Sequence, residues 1–418
     1  MRKIAKLLIL AVMTVMVSLS AVGCQFVDFN SSHGGNDLIN SIVASSQVEF
    51  NTIEETERQK YSLPEAVEKV ERTSVAIEVT SSAGSGAGSG VIIDVVNSNN
   101  YVFILTCHHV ISTGGEIVVR IPDQDCNYEN DDYVFSGVIG NQIYKDQAVT
   151  LVGGDRVSDI AVIKINLDLP ATSGEKLSMD KIQKAKMPSA EYEIKKGESI
   201  FAIGNPGGTL PGSVADGVVS YPEREVIVGD VGYMDLMQIS VTTNPGNSGG
   251  GLYNLYGELI GITNAGNTNY SAINWAIPIE LESGNGFLNV ASQLIATANL
   301  NPNNYGYVSD RWEMGFTVET KTSGVKAYIL VKSVVADSNA DKAGLKEGDI
   351  LESISFEGKN YTLTMDKIGT YVGMARTKLK KGDTLSLFIV RSDYFNSVSK
   401  ELKMVISVAD YIFCDTGK

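Results

Sequence analysis

The sequence predicts a mainly β protein, a large strand-built body followed by a smaller module in which strands and helices mix. Three observations carry this. Between Pro64 and Ile279, short runs rich in Val and Ile alternate with Gly, Asn, Asp and Pro, the pattern of many short strands joined by turns. Apolar residues recur at helical spacing only in Pro64–Glu71 and in Leu288–Asn299, where Leu288, Ala291, Leu294 and Ile295 would share a face. The polar run from Asn299 to Asn304 then sets off a second stretch, about 100 residues long and able to fold alone. With 418 residues the chain has room for about two or three domains.

The N-terminus reads as a targeting segment. Arg2, Lys3 and Lys6 precede an apolar run from Leu7 to Val17, and Ala21-Val22-Gly23-Cys24 follows. Small residues before a cysteine resemble the bacterial lipoprotein cleavage box. Residues 1–23 are thus expected to be a signal peptide and Cys24 the lipidated N-terminus, holding the protein outside the cytoplasm at the cell membrane. Residues 24–60 are polar and read as a linker. No later apolar run approaches the roughly 20 residues of a membrane span. Cys107, Cys126 and Cys414 remain, and outside the cell Cys107 could pair with Cys126.

Within the body, expected as residues 61–285, ten strands are predicted: Ser74–Val79, Gly90–Val95, Tyr101–Thr106, Ile117–Ile121, Ile160–Ile165, Ser199–Ile203, Gly217–Ser220, Met237–Val241, Glu258–Thr263 and Ala272–Ile277. Residues 286–304 are expected to be a helix and linker. The second module, 305–410, should hold strands at Tyr328–Val334, Thr384–Val390 and Lys403–Val408, a short helix near Ala340 and another at Asp366–Ala375. A net charge of -15 argues against a nucleic-acid partner, because phosphate binding needs concentrated Lys and Arg.

One stretch carries chemistry. In Thr243-Asn244-Pro245-Gly246-Asn247-Ser248-Gly249-Gly250-Gly251-Leu252 a serine is packed among glycines between two apolar runs. Such a turn can expose the Ser248 hydroxyl as a nucleophile. It can also aim the N–H groups of Gly246 and Ser248 at one point, where negative charge on a substrate oxygen would be held. A nucleophilic serine needs a base, and the only histidines are His33, His108 and His109. His33 lies in the polar linker. His108 and His109 end a predicted strand, where a side chain can face a cleft, and either could take the serine proton. Asp159 opens the strand from Ile160 and is the favoured carboxylate, with Asp155, Asp146 and Asp94 as alternatives. The chain order His, Asp, Ser is that of chymotrypsin-type proteases.

Five blocks, Gly88–Ile93, Ile104–Val110, Ser158–Val162, Ala202–Pro206 and Asn244–Gly250, resemble successive blocks of the HtrA/Deg family of trypsin-like proteases. The resemblance implies a chymotrypsin-like double β-barrel followed by a small α/β PDZ domain. It selects His109 over His108, assigns the triad His109, Asp159 and Ser248, and implies cleavage of unfolded polypeptide with no metal or cofactor. It also implies that Asn274-Trp275-Ala276 pairs with substrate and borders the specificity pocket, and it suggests a homotrimer. This chain departs from the family's pattern at Cys107 and His108, where asparagines are usual, and at Gly251, usually proline, which would loosen the strand there. In the second module Glu313-Met314-Gly315-Phe316 resembles a PDZ carboxylate-binding loop, with N–H donors from Met314, Gly315 and Phe316 for a peptide C-terminus. The expected function is an extracytoplasmic serine endopeptidase of protein quality control; the alternative is a holdase or PDZ-gated peptide sensor with little catalytic activity.

Overall fold

The computed structural model describes residues 50–53, 56, 58–82, 84–96, 100–123, 133–139, 147–228, 232–266, 273–281, 283–300, 305–309, 311–323, 326–392 and 397–407. The expected leader, Cys24, His33, Cys126, Asp146 and Cys414 lie outside these. Among the described residues no helix is long and apolar enough to cross a membrane.

The first half of the body is one antiparallel sheet. After β1 (Asn51–Ile53) come β2 (Ser74–Ser81), β3 (Gly84–Val96), β4 (Tyr101–Cys107), β5 (Gly115–Ile121), β6 (Tyr133–Ile139), β7 (Val149–Asp155) and β8 (Ile160–Asn166). Their order is β6-β5-β2-β3-β4-β8-β7. The two edges of this sheet meet: a Cβ on Gly137 of β6 would stand 2.1 Å from the Val149 carbonyl oxygen of β7. Curling the sheet in this way encloses Ile77, Ile92, Ile104, Leu105, Ile117 and Ile163 in a common core. Each such side chain contributes about 1.5–3 kcal/mol on burial.

After β9 (Lys186–Pro188), which pairs in parallel with β1, the second half closes fully. The strands β10 (Ser199–Gly204), β11 (Ser213–Val228), β12 (Gly232–Ile239), β13 (Gly251–Asn254), β14 (Leu259–Gly266) and β15 (Asn274–Pro278) form a barrel in the order β10-β11-β12-β15-β14-β13. Ile200, Val219, Met237, Ile239, Leu252 and Ile260 fill it. The mainly β, chymotrypsin-like architecture expected from sequence is therefore the observed one.

Helix α1 (Leu63–Val70) starts where Ser62 and Glu65 cap it reciprocally, with the Ser62 N–H donating to Glu65 Oε2 at 2.9 Å. The short α2 (His108–Ile111) follows β4 directly, and α3 (Phe287–Leu300) lies on β7 and β8. The second module is a separate sheet, β16 (Phe316–Ser323), β17 (Lys326–Val334), β18 (Ile350–Phe356), β19 (Lys359–Thr362), β20 (Thr384–Ser392) and β21 (Ser397–Val405), with α4 (Asn339–Lys342) and α5 (Ile368–Lys378). It has its own core of Trp312, Val331, Leu351, Ile354, Leu385, Leu387 and Met404.

Several sequence expectations change. The end of the expected linker 24–60 is fastened down: β1 pairs with β9, and Arg58 makes a bidentate pair to the buried Glu258 at 2.8 and 2.9 Å while lying over the Tyr256 ring. Strand β11 runs far beyond Gly217–Ser220. Pro222 had masked its continuity, yet it falls in the register shift between Tyr221 and Arg224, where its missing N–H forfeits no ladder bond. Strand β21 starts six residues before the predicted Lys403, because its early residues are exposed and carry no apolar signal. In the body, strands β1, β6, β7, β9 and β13 were not foreseen. Gly251 does not loosen β13, which is buried throughout and paired on both edges.

Candidate active site

Pairing of β4 with β8 sets Cys107 opposite Ile160, and so brings Asp159 against the turn that opens α2. Asp159 takes a left-handed backbone angle, φ 56°, rare outside glycine, which turns its carboxylate under His109. There Oδ1 accepts the His109 backbone N–H at 2.8 Å and Oδ2 faces His109 Nδ1 at 2.6 Å. The Asp159 carbonyl accepts from His108 N–H at 2.9 Å. A carboxylate only accepts, so His109 carries its proton on Nδ1 and leaves the Nε2 lone pair free. Burial by itself would push the His109 pKa down, but the Asp159 hydrogen bond and charge outweigh it and hold the ring above its ordinary value of 6.5. Of the two adjacent histidines, it is the His109 ring that meets Asp159. His108 is buried against Gly154, where a Cβ would lie 2.8 Å from its ring, and burial pushes its pKa down.

The serine loop is held from the other side. Ser89 of β3 donates its N–H to the Ser248 carbonyl and its Oγ to the Gly246 carbonyl, each at 2.8 Å, and accepts from Asn205 N–H at 2.8 Å. Gly246 has φ 99° and a Cβ there would stand 2.2 Å from the Asn205 carbonyl oxygen; Gly249 has φ 87° and a Cβ there would meet the Ser89 carbonyl oxygen at 2.2 Å. No other residue fits either place.

The carbonyls from Asn244 to Ser248 are all engaged. Pro245 accepts from Gly207 N–H at 2.7 Å, Gly246 from Ser89, and Asn247 from Gly250 N–H at 2.9 Å and Thr263 Oγ1 at 2.5 Å. In a planar trans peptide the N–H points opposite its carbonyl. The N–H groups of Gly246 and Ser248 therefore point away from those partners, and neither has a hydrogen-bond acceptor among the described residues. Two preset donors flank one hydroxyl, the geometry that holds an oxyanion.

Ser248 Oγ itself donates to the Asn264 carbonyl at 2.7 Å and makes no hydrogen bond to His109. Such bonds are often formed only once substrate is bound. Asn264 joins both halves of the site, since its Nδ2 donates to Asp159 Oδ2 at 2.7 Å and reaches Cys107 Sγ at 3.8 Å. Neither Ser89 nor Asn264 was singled out from sequence. The chain order gave no hint of them, because each acts through a fold-dependent contact across the site. Cys107 is a free, fully buried thiol.

The other acids are committed elsewhere. Asp155 forms a bidentate pair with Arg311 at 3.0 and 2.7 Å and caps Ser158. Burial would raise its pKa, yet the Arg311 charge and these hydrogen bonds hold it low. Asp94 pairs with Lys184 at 3.0 Å.

The expected substrate strand Asn274-Trp275-Ala276 is placed differently. Both its edges are used, by β12 on one side and β14 on the other, so no edge is left for a substrate to pair with. Asn274 is buried, and its Oδ1 accepts from Thr243 Oγ1 at 2.9 Å, which makes it a wall beside the serine loop. Among the described residues the strand edge left without a partner beside Ser248 is that of Asn264–Gly266, because β13 pairs with β14 only as far as Ile262. An isolated Thr-Asn-Ala-Gly run carried no strand-edge signal.

In the second module Gly315 takes φ 81° and its carbonyl accepts Val335 N–H at 2.8 Å, while that of Met314 accepts Ala340 N–H at 2.9 Å. The N–H groups of Met314 and Gly315 have no partner among the described residues, and Phe316 opens β16, the sheet's edge strand.

Residues 88–262 match the family model of the trypsin-like peptidase domain. A probable periplasmic serine endoprotease DegP-like of Ectopseudomonas mendocina is 30% identical over 330 residues, covering 76% of this chain and 56% of that protein. Its namesake from Hahella chejuensis is 30% identical over 291 residues, covering 67% and 50%. The chain thus spans about half the length of the curated relatives it matches. Among solved structures, the serine endoprotease from Yersinia pestis is 22% identical with a TM-score of 0.45, over 84% of this chain and 100% of that one. The HtrA-type protease AlgW with tripeptide is 22% identical with a TM-score of 0.47, over 84% and 98%.

Proposed function

We propose that the chain belongs with the HtrA/Deg trypsin-like serine proteases and is an extracytoplasmic serine endopeptidase acting on unfolded polypeptide. One observation carries the reading. His109 is held by Asp159 at 2.6 Å through Nδ1, and Ser248 is flanked by two N–H groups that have no acceptor among the described residues.

In the proposed reaction a substrate strand pairs with the open edge of Asn264–Gly266 and brings its carbonyl to Ser248. Ser248 Oγ leaves the Asn264 carbonyl, gives its proton to His109 Nε2 and attacks. Asp159 offsets the imidazolium charge, and the N–H groups of Gly246 and Ser248 hold the oxyanion, each donor worth about 100- to 1000-fold in rate. His109 then protonates the leaving amine, and water, activated by the same ring, releases the acyl group from Ser248. Asn274 and Thr243 would shape the pocket for the residue before the cleaved bond. Free, preset oxyanion donors support the peptidase over the holdase.

The second module we assign as a PDZ domain, in which Met314, Gly315 and Phe316 would cradle a peptide C-terminus beside the edge strand β16. Cys24 would carry a lipid anchor. A homotrimer accords with the family resemblance. A fluorophosphonate probe tests the central reading: labelling of the wild type that vanishes in Ser248→Ala is expected, and labelling that survives the substitution would refute it.

A further inference from the structure

We propose that Cys107, His109 and Asp159 together form an inhibitory site for a thiophilic divalent cation, zinc being the representative. The inference rests on the peptidase reading for its consequence but not for its binding chemistry.

The three residues offer a sulfur, a ring nitrogen and a carboxylate oxygen that all lie within 4.8 Å of one another. Cysteine, histidine and aspartate are the donors zinc takes, at about 2.3 Å for sulfur and 2.0–2.2 Å for nitrogen and oxygen. Tetrahedral placement at those lengths separates donors by roughly 3.3–3.7 Å. Nδ1 and Oδ2, now 2.6 Å apart, must open and the sulfur must close in, each by about 1 Å, which side-chain rotation can supply.

One amide reaches both the sulfur and the carboxylate, although the thiol now donates to the Thr263 carbonyl at 3.4 Å. Asn264 Nδ2 stands 2.7 Å from Asp159 Oδ2 and 3.8 Å from Cys107 Sγ, so one amide can orient both anionic donors from behind. Burial and the Asp159 charge push the thiol pKa well up, while the Gly249 N–H and the Asn264 amide favour the ionised sulfur. Without a cation the proton stays on sulfur. A cation supplies the charge that displaces it.

The proton balance explains the inhibition. At a pH above the His109 midpoint the thiol is protonated and the neutral ring carries its proton on Nδ1, against the Asp159 carboxylate. On binding, the thiol proton leaves to solvent and sulfur, Nδ1 and a carboxylate oxygen bond the cation. The ring proton is lost from Nδ1 and one is taken up at Nε2, so the ring stays neutral. Net, one proton is released per cation. The nitrogen that would accept the Ser248 proton is now occupied by hydrogen, and the carboxylate no longer faces the ring.

Cobalt(II) titration of the full chain tests this directly, because a bound thiolate gives a near-ultraviolet charge-transfer band. The band is expected to saturate at one equivalent in the wild type and in Ser248→Ala, and to be absent in Cys107→Ser and Cys107→Ala, each first shown to melt as a folded protein without metal. In parallel, the peptidase activity of the wild type and of each Cys107 variant is compared with and without zinc. Zinc should inhibit the wild type at a concentration at least about tenfold below that needed for the Cys107 variants, the smallest loss seen when a metal site is weakened even from its outer shell. A band that persists without Cys107, no band in the wild type, or equal zinc sensitivity in the wild type and the Cys107 variants overturns the proposal. A Cys107-dependent band in a chain with no peptidase activity would uphold the site and instead overturn the proposed function.

Discussion

Asn264 Nδ2 and Asp159 Oδ2 share a hydrogen bond of 2.7 Å, and the same carboxylate oxygen faces His109 Nδ1. Asn264 also takes the Ser248 hydroxyl on its carbonyl, so one residue touches both the acid and the nucleophile. Asn264→Ala removes a hydrogen bond to a charged group, worth about 1.5–3 kcal/mol. The expected outcome is a fall of roughly ten- to hundredfold in kcat on unfolded casein, with KM changed far less. Steady-state kinetics on the folded variant checks it.

Asp159→Asn keeps the shape but removes the charge and the tautomer control. A loss of about ten-thousandfold in kcat is expected, as for the equivalent change in a Ser-His-Asp protease. A residual rate much above that level would show the base is oriented by something else.

The raised His109 pKa sets the acid side of the pH profile. Only the neutral ring can accept a proton, so kcat/KM should fall as pH drops through a midpoint above 6.5. The stability linkage has the opposite sense. Asp159 favours the protonated ring, so this contribution is complete below the unfolded value near 6.5 and is lost as pH rises through the folded value. Titrating the ring by NMR in the Ser248→Ala protein locates the midpoint; a value at or below 6.5 contradicts the expectation.

Ser89→Ala deletes the clamp on the serine loop. Its Oγ bridges the Gly246 carbonyl and the Asn205 N–H, both buried, and each orphaned group costs about 1–3 kcal/mol. Urea unfolding should show the combined loss. The Gly246 peptide, freed to turn, should also lower kcat while fluorophosphonate labelling slows.

Arg311→Ala leaves Asp155 buried and charged without its partner. Losses from breaking such a pair run to about 3–5 kcal/mol. Since Asp155 caps Ser158, which adjoins Asp159, activity should fall together with stability, and Arg311→Lys should recover part of both.

Much of this was legible in the residues. Alternating Val and Ile runs announced the buried strands, and the glycines around Ser248 announced a forced backbone, since Gly246 and Gly249 have no room for a Cβ. His109 and Asp159 stood at strand ends where the sheet pairing brings them together. What stayed hidden depended on registers no local pattern records. Asn264 lies one residue past the predicted strand Glu258–Thr263, and only β14 carries it to Asp159; Asn274 looked free to meet substrate until β12 and β14 were seen to pair with its strand. Arg58 lay in a polar stretch, and only the buried Glu258 explains why that stretch is fastened.

The clamp from Ser89 has a further consequence. Ser248 and its oxyanion donors sit on the closed barrel, whereas His109, Asp159 and Ser89 belong to the curled sheet that precedes it. A molecule with only one of these halves folded holds either an imidazole with no nucleophile or a serine loop with no brace. Under the proposed function, activity would therefore require both halves to be folded at once.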